Sequence, residues 1–227
     1  ADNNTAVGSC SLFANTTASN NTAVGVCSLR DNTTGTCNTA IGKSAMVSNT
    51  TGGFNLAVGA NASNANTGGC SNVAVGTCAL FSNVGSNNSA LGRNALYANT
   101  SGANNTAIGC GALDTNTTAS NNTAVGFNSL CANTTGCQNV AMGTNALDAN
   151  TTGHYNTAVG YDSLSSNTEG SYNIAVGCNA LKVNTTGATN TAVGSNSLDA
   201  NTTGTSNVAL GYASLGANTT ANDNTAV

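Results

Sequence analysis

The chain has 227 residues but only twelve charged side chains, with a net charge of −4, nine cysteines, 27 glycines and neither proline nor tryptophan. Its charged fraction of 5%, against about a quarter in ordinary globular domains, excludes a conventional mixed surface. The acidic balance leaves no basic footprint for nucleic acid or an anionic membrane, and no stretch approaches the ~20 apolar residues of a spanning helix.

From the N-terminus onward, the string N-T-A-V-G or a close relative recurs, ending at Gly8, Gly25, Gly42, Gly59, Gly76, Gly92, Gly109, Gly126, Gly143, Gly160, Gly177, Gly194 and Gly211. The interval is 17 residues throughout except from Gly76 to Gly92, where it is 16. Residues 1–227 therefore read as one repeat array with consensus N-T-A-V-G-x-x-[SA]-L-x-x-N-T-T-G-x-x. Because it starts and stops in mid-repeat, it is read as a window on a longer array or a unit stacked end to end. The unit is too short for a helical hairpin repeat of ~34 residues and too rich in glycine and β-branched residues for helix. The fold class expected is all-β: a parallel β-solenoid, or β-roll, of about 13 coils stacked every ~4.8 Å.

Within each unit, in chain order, a first strand is expected at T-A-V-G. The residue before the glycine is apolar in every copy, from Val7 to Val227, and is assigned to the interior. Three before the glycine, threonine alternates with Leu56, Val73, Val140, Ile174 and Val208, placing that column at a less buried edge. Between them lies alanine in all copies, Ala6 to Ala226, which alternation points outward. A second strand is expected at [SA]-L-x-x, with the leucines from Leu12 to Leu215 as a second core column, broken only by Met46 and Ser63. The small residue before each leucine joins alanine as a second restricted outward column, a sign that another backbone approaches closely. The 16-residue interval loses its residue in the N-T-T-G turn, at Asn83-Val84-Gly85, where deletions are tolerated.

Asparagine stands four residues before and seven residues after every glycine. Such columns form amide ladders between coils. Asn15, Asn32, Asn49, Asn99, Asn116, Asn133, Asn150, Asn184, Asn201 and Asn218 also open N-x-[ST] sequons and are candidate N-glycosylation sites. Sugars stacked every ~4.8 Å would collide, so sparse occupancy is expected.

The segment Asn21-Thr22-Ala23-Val24-Gly25-Val26-Cys27-Ser28 resembles the N-S-V-A-I-G-x-x-S repeat in the heads of trimeric autotransporter adhesins (YadA-like). The arrays also look like those of viral and bacterial tail-fibre-type proteins. The resemblance covers the whole chain and implies a β-roll in which three chains associate. It departs in coil length, in the extra N-T-T-G segment and in the presence of cysteine.

Catalytic chemistry has little support. His154 is the only histidine, sits in a turn and has no nucleophile in a matching constellation. Asp114, Asp148 and Asp199 share a column, but are two or three coils apart, roughly 10–14 Å. The G-G-x-G-x-D calcium repeat is absent, so neither metal nor cofactor is expected. The nine aromatics occupy three columns flanking the strands. Cys10 and Cys27 are equivalent positions one coil apart, within the Cα range of a disulfide, and are the candidate bridge. Nine cysteines in variable columns fit an oxidising, extracellular or virion-surface setting.

The function expected is a non-catalytic structural rod of an extracellular or virion fibre: shaft, coat or adhesin stalk. Its expected partners are copies of itself, as a homotrimer or an end-to-end filament, and a cell-surface glycan or protein. An ice-binding solenoid built on N-T-T is the first alternative, weakened because adjacent threonines cannot both face outward. A carbohydrate-binding adhesin head is another, and a carbohydrate-processing enzyme lacks grouped carboxylates.

Overall fold

The computed structural model describes residues 1–227 and is all-β. It divides into two compact units, 1–118 and 119–227. The first carries β1 (Thr5–Val7), β2 (Thr22–Val24), β3 (Thr39–Ile41), β4 (Leu56–Val58), β5 (Val73–Val75), β6 (Ser89–Leu91) and β7 (Thr106–Ile108). The second carries β8 (Thr123–Val125), β9 (Val140–Met142), β10 (Thr157–Val159), β11 (Ile174–Val176), β12 (Thr191–Val193), β13 (Val208–Leu210) and β14 (Thr225–Ala226). In each unit consecutive strands pair in parallel, equivalent residue on equivalent residue, as in Thr22↔Thr39 and Ala158↔Ala175. This is the parallel β-solenoid that the 17-residue repeat implies, with one repeat to a coil.

Each coil holds one strand, of three residues except for the two of β14. The second strand expected at [SA]-L is a run of turns instead. Backbone φ is positive at the glycine (133° at Gly25), at the second residue after it (56° at Cys27) and at the leucine (48° at Leu29). A fourth left-handed residue precedes the asparagine four before each glycine, as Asn20 does at 62°. Alternating left-handed residues curl the chain tightly where a strand would have kept it extended. The backbone is still bonded from coil to coil, with Leu29 N–H donating to Ala45 O at 3.0 Å and Leu130 N–H to Ala146 O at 2.9 Å.

Side-chain direction in the strand is the reverse of the expectation. From Ala23 to Ala209 the alanine column is 0–1% exposed, whereas the flanking columns face solvent. Leu91, Met142 and Leu210 are 50%, 42% and 46% exposed. The small residues before the leucines also point inward: Ala45, Ala95, Ser129 and Ser197 are fully buried. The leucine column is interior as expected, with Leu29, Leu80, Leu130 and Leu198 at 0%. Each coil thus encloses one leucine, two small side chains and two asparagines. Its lumen is too narrow for a further valine. The small columns therefore record close approach of the coil's own walls, and Ala124, at 0% exposure, is no surface for a second chain.

The short interval is absorbed where expected. β5 and β6 remain in register, Ala74 opposite Ala90, and the Asn83 amide donates to Gly85 O at 2.9 Å, two residues on, where Asn99 reaches three residues to Gly102 O.

Candidate functional site

Two features of the coil surface and wall bear on function: the asparagine ladders that close each coil, and the outward columns of the strands.

The ladders occupy fully buried positions. In the column seven after the glycine, Asn49 Nδ2 donates to Asn32 Oδ1 at 2.7 Å and to Gly52 O of its own turn at 3.0 Å. In the column four before the glycine, Asn38 N–H donates to Asn21 Oδ1 at 2.9 Å, while Asn38 Nδ2 donates to Gly52 O at 2.8 Å. Gly52 O is shared by both ladders. A Cβ at Gly52 would sit 2.6 Å from Asn49 Oδ1, so glycine here makes room for the amides. The N-T-T turn is stitched further by one carbonyl. Thr151 O accepts from the amides of Thr134, Thr135 and Gly136 at 3.1, 3.2 and 3.3 Å, and from Thr134 Oγ1 at 3.1 Å. The equivalent hydroxyls of Thr33, Thr50, Thr168, Thr185 and Thr202 donate to the next coil in the same way. These threonines are committed to the wall of the solenoid.

Among the sequons, Asn32, Asn49, Asn99, Asn116, Asn133, Asn150, Asn184 and Asn201 have no exposed surface, while Asn15 and Asn218 are half-buried. A glycan on a buried Nδ2 would replace the donor that closes its turn, so attachment there has to precede coil closure. Cys10 and Cys27 do occupy stacked positions, but both are free thiols, as are the other seven.

His154 is built into its turn: Nδ1 accepts from the Cys137 amide at 2.9 Å, and its own amide donates to Ser171 Oγ at 3.0 Å. Asp114 and Asp148 are half-buried, and desolvation raises both carboxyl pKa values above the ordinary range, partly opposed at Asp114 by Arg93. Asp162 lies in another column, held by Lys182 Nζ at 3.2 Å and Asn145 Nδ2 at 3.1 Å. Arg30 clasps Asp31 through two 2.7 Å bonds, which hold the Asp31 carboxyl below its ordinary range. Two aromatic pairs stack between coils, Phe81 on Tyr97 at 5.1 Å and Tyr155 on Tyr172 at 4.9 Å. Each of these groups decorates individual coils.

The strand columns form an outward surface that is free of charge and amide in every coil. Thr22 and Val24 project outward on either side of buried Ala23, and Thr157 and Val159 flank Ala158 likewise. Sequence reasoning misplaced this face because it ranked valine above alanine for burial. The available signal was uniformity of size: alanine fills its column in every copy, while its neighbours range from serine to methionine. No family model matches the chain, and no curated protein is detectably similar to it.

Proposed function

We propose that the chain is a non-catalytic structural element of an extracellular fibre, serving as shaft, coat or stalk and associating with copies of itself. The observation that carries this reading is the coil lattice. Buried asparagine, the N-T-T threonine and the strand amides all spend their hydrogen bonds on the next coil, so the repeat specifies a stackable wall. Functional sites usually interrupt a repeat where unlike groups converge. Here the shortened turn at Asn83-Val84-Gly85 closes with the same asparagine-to-carbonyl bond as its neighbours. The extracellular or virion setting, and association as a trimer or an end-to-end filament, rest on the resemblance to adhesin-head and tail-fibre arrays. Electron micrographs and native mass of the purified chain test the reading. Filaments or discrete oligomers are expected, and dispersed monomers at all concentrations would overturn it.

A second reading, ice binding, gains one observation. N-T-T is a poor ice face because the hydroxyl of its first threonine is already donated to the next coil, but T-A-V presents outward side chains at alternate positions in every coil. Thermal hysteresis of the monomeric chain, lost on substitution of those columns, is the result this alternative requires.

A further inference from the structure

We propose that the outward strand face is a self-association surface, on which a second copy of this chain packs its own strand face. This rests on the fibre reading and adds the surface through which copies meet.

The composition of the face carries the argument. Its two columns comprise 28 positions, 19 apolar and nine threonine or serine, with no charge, amide or glycine among them. Two other surface columns of the same chain serve as a control. The residues one and five after the glycine include Lys43, Arg93, Arg30, Asp114, Asn64 and Tyr161; they vary freely because water accepts any of them. A column that repeats as often and admits only β-branched, leucine, methionine or small hydroxyl side chains is under a packing constraint. The extended strand accounts for the β-branching but not for the exclusion of charge and amide, since Ile41, Ile108 and Ile174 are 40–42% exposed.

Pitch identifies the occupant. The in-register pairing sets side-chain ridges ~4.8 Å apart along each unit, and only a surface of the same pitch interdigitates with them over many coils. A second copy has that pitch by construction. Seven strands at ~4.8 Å, each three residues of ~3.3 Å, give roughly 340 Å² in plane per unit. That is less than half of the ~800 Å² per partner of a standard specific interface and lies in the range of weak, transient contacts, so the association expected through the face of one unit is weak. The face is also uncharged, so a copy meets no electrostatic penalty on approach.

The test is sedimentation equilibrium of the wild type, of a V58K/V176K double variant and of a V58T/V176T double variant, with T51K/T152K as a control on exposed turn positions. Circular dichroism verifies that each is folded. The wild type is expected to self-associate. Lysines facing each other across the contact should weaken it by at least about 100-fold in Kd, threonines should weaken it by a smaller factor, and the control should match the wild type. The V58T/V176T pair retains β-branching, so the test survives if the lysine variant fails to fold. A wild type that stays monomeric at about 100 μM, or strand-face variants that associate as well as the wild type, overturn the proposal. So does thermal hysteresis from a wild-type monomer that the variants lose, which assigns the face to ice. The two readings fail separately. Filaments that persist in V58K/V176K leave the fibre reading standing without this surface, whereas compact dimers abolished in V58K/V176K keep the surface and remove the fibre.

Discussion

Replacing Ser63 with leucine should stabilise the protein. Ser63 stands in the leucine column between Met46 and Leu80, both fully buried. Its coil has the same backbone as its neighbours: φ is 51° against 52° at Leu80, and its amide donates to Ala79 O at 2.8 Å as that of Leu80 does to Ala95 O at 2.9 Å. The serine hydroxyl is buried without a hydrogen-bond partner. Removing an unsatisfied hydroxyl recovers about 1–3 kcal/mol, and filling a leucine-sized space adds about 1.5–3 kcal/mol of transfer free energy. Partial collapse of the coil around the smaller residue offsets some of this, so a net gain of roughly 2–4 kcal/mol is expected. Guanidinium unfolding followed by circular dichroism measures it. Hydrogen exchange should place the added protection in the coils of Met46 and Leu80, because solenoid stability passes between nearest neighbours. Unchanged or reduced stability would show that the coil has closed on serine, refuting the claim that the leucine column defines a lumen of constant width.

Asn150→Ala should cost roughly 2–4 kcal/mol, because it removes the bonds Asn150 makes with Gly153 O, Asn133 Oδ1 and Asn167 Nδ2 at 3.1, 2.9 and 2.9 Å, each worth about 0.5–1.5 kcal/mol, while Gly153 O keeps Asn139 Nδ2 and Asn167 Nδ2 keeps Gly170 O. The check is guanidinium unfolding, and a loss under about 1 kcal/mol would deny the ladder an energetic role. Gly25→Ala should be more damaging than Gly211→Ala. Both have left-handed φ, +133° and +117°, but a Cβ at Gly25 falls 2.6 Å from Gly42 O and 2.7 Å from its carbon, whereas Gly211 has open space; thermal melts should show backbone strain of about 1–3 kcal/mol at Gly211 and that strain plus broken inter-coil bonds at Gly25. Asp148→Asn should stabilise at neutral pH and lose that advantage in acid. Burial raises the folded carboxyl pKa, so the native state binds the proton more tightly than the unfolded chain, and the wild-type penalty appears as pH rises from the ordinary aspartate range through the raised value. Guanidinium midpoints of the two proteins at acid and neutral pH give the comparison.

Much of the architecture was legible in the sequence because a solenoid converts periodicity directly into contact. The 17-residue interval sets which residues stack, so the ladders of Asn32 on Asn49 and Asn21 on Asn38, the interior leucines and the placement of the deletion at Val84 all follow from alignment of the chain with itself. The second strand was misread because leucine seldom adopts a positive φ and its column looked like strand core. A usable signal stood two residues earlier, at Asn61, Asn94, Gly111, Asn128, Asn145 and Asp162, types that tolerate the left-handed region. Read together, those residues indicate a curl between the strand and the N-T-T-G turn.

The reversed strand faces have a different cause, and they bear directly on the candidate surface. Alternation divides T-A-V into two faces without saying which is inside, and a hydrophobic ranking gives the wrong answer wherever the interior is already full. Here the lumen is filled by leucine from the opposite wall and by two asparagines whose amides must reach Gly52 O and its equivalents. Only a methyl group remains affordable beside them. Valine and threonine are then displaced to the outside by lack of space, and their β-branching keeps the strand extended. The same geometry that closes the coil thus produces, in every repeat, an apolar outer strip. A solenoid this thin encloses one branched side chain per coil, the leucine, and leaves two on the outer face of the strand, as at Thr22 and Val24, which gives association between chains an energetic basis that a thicker coil would lack.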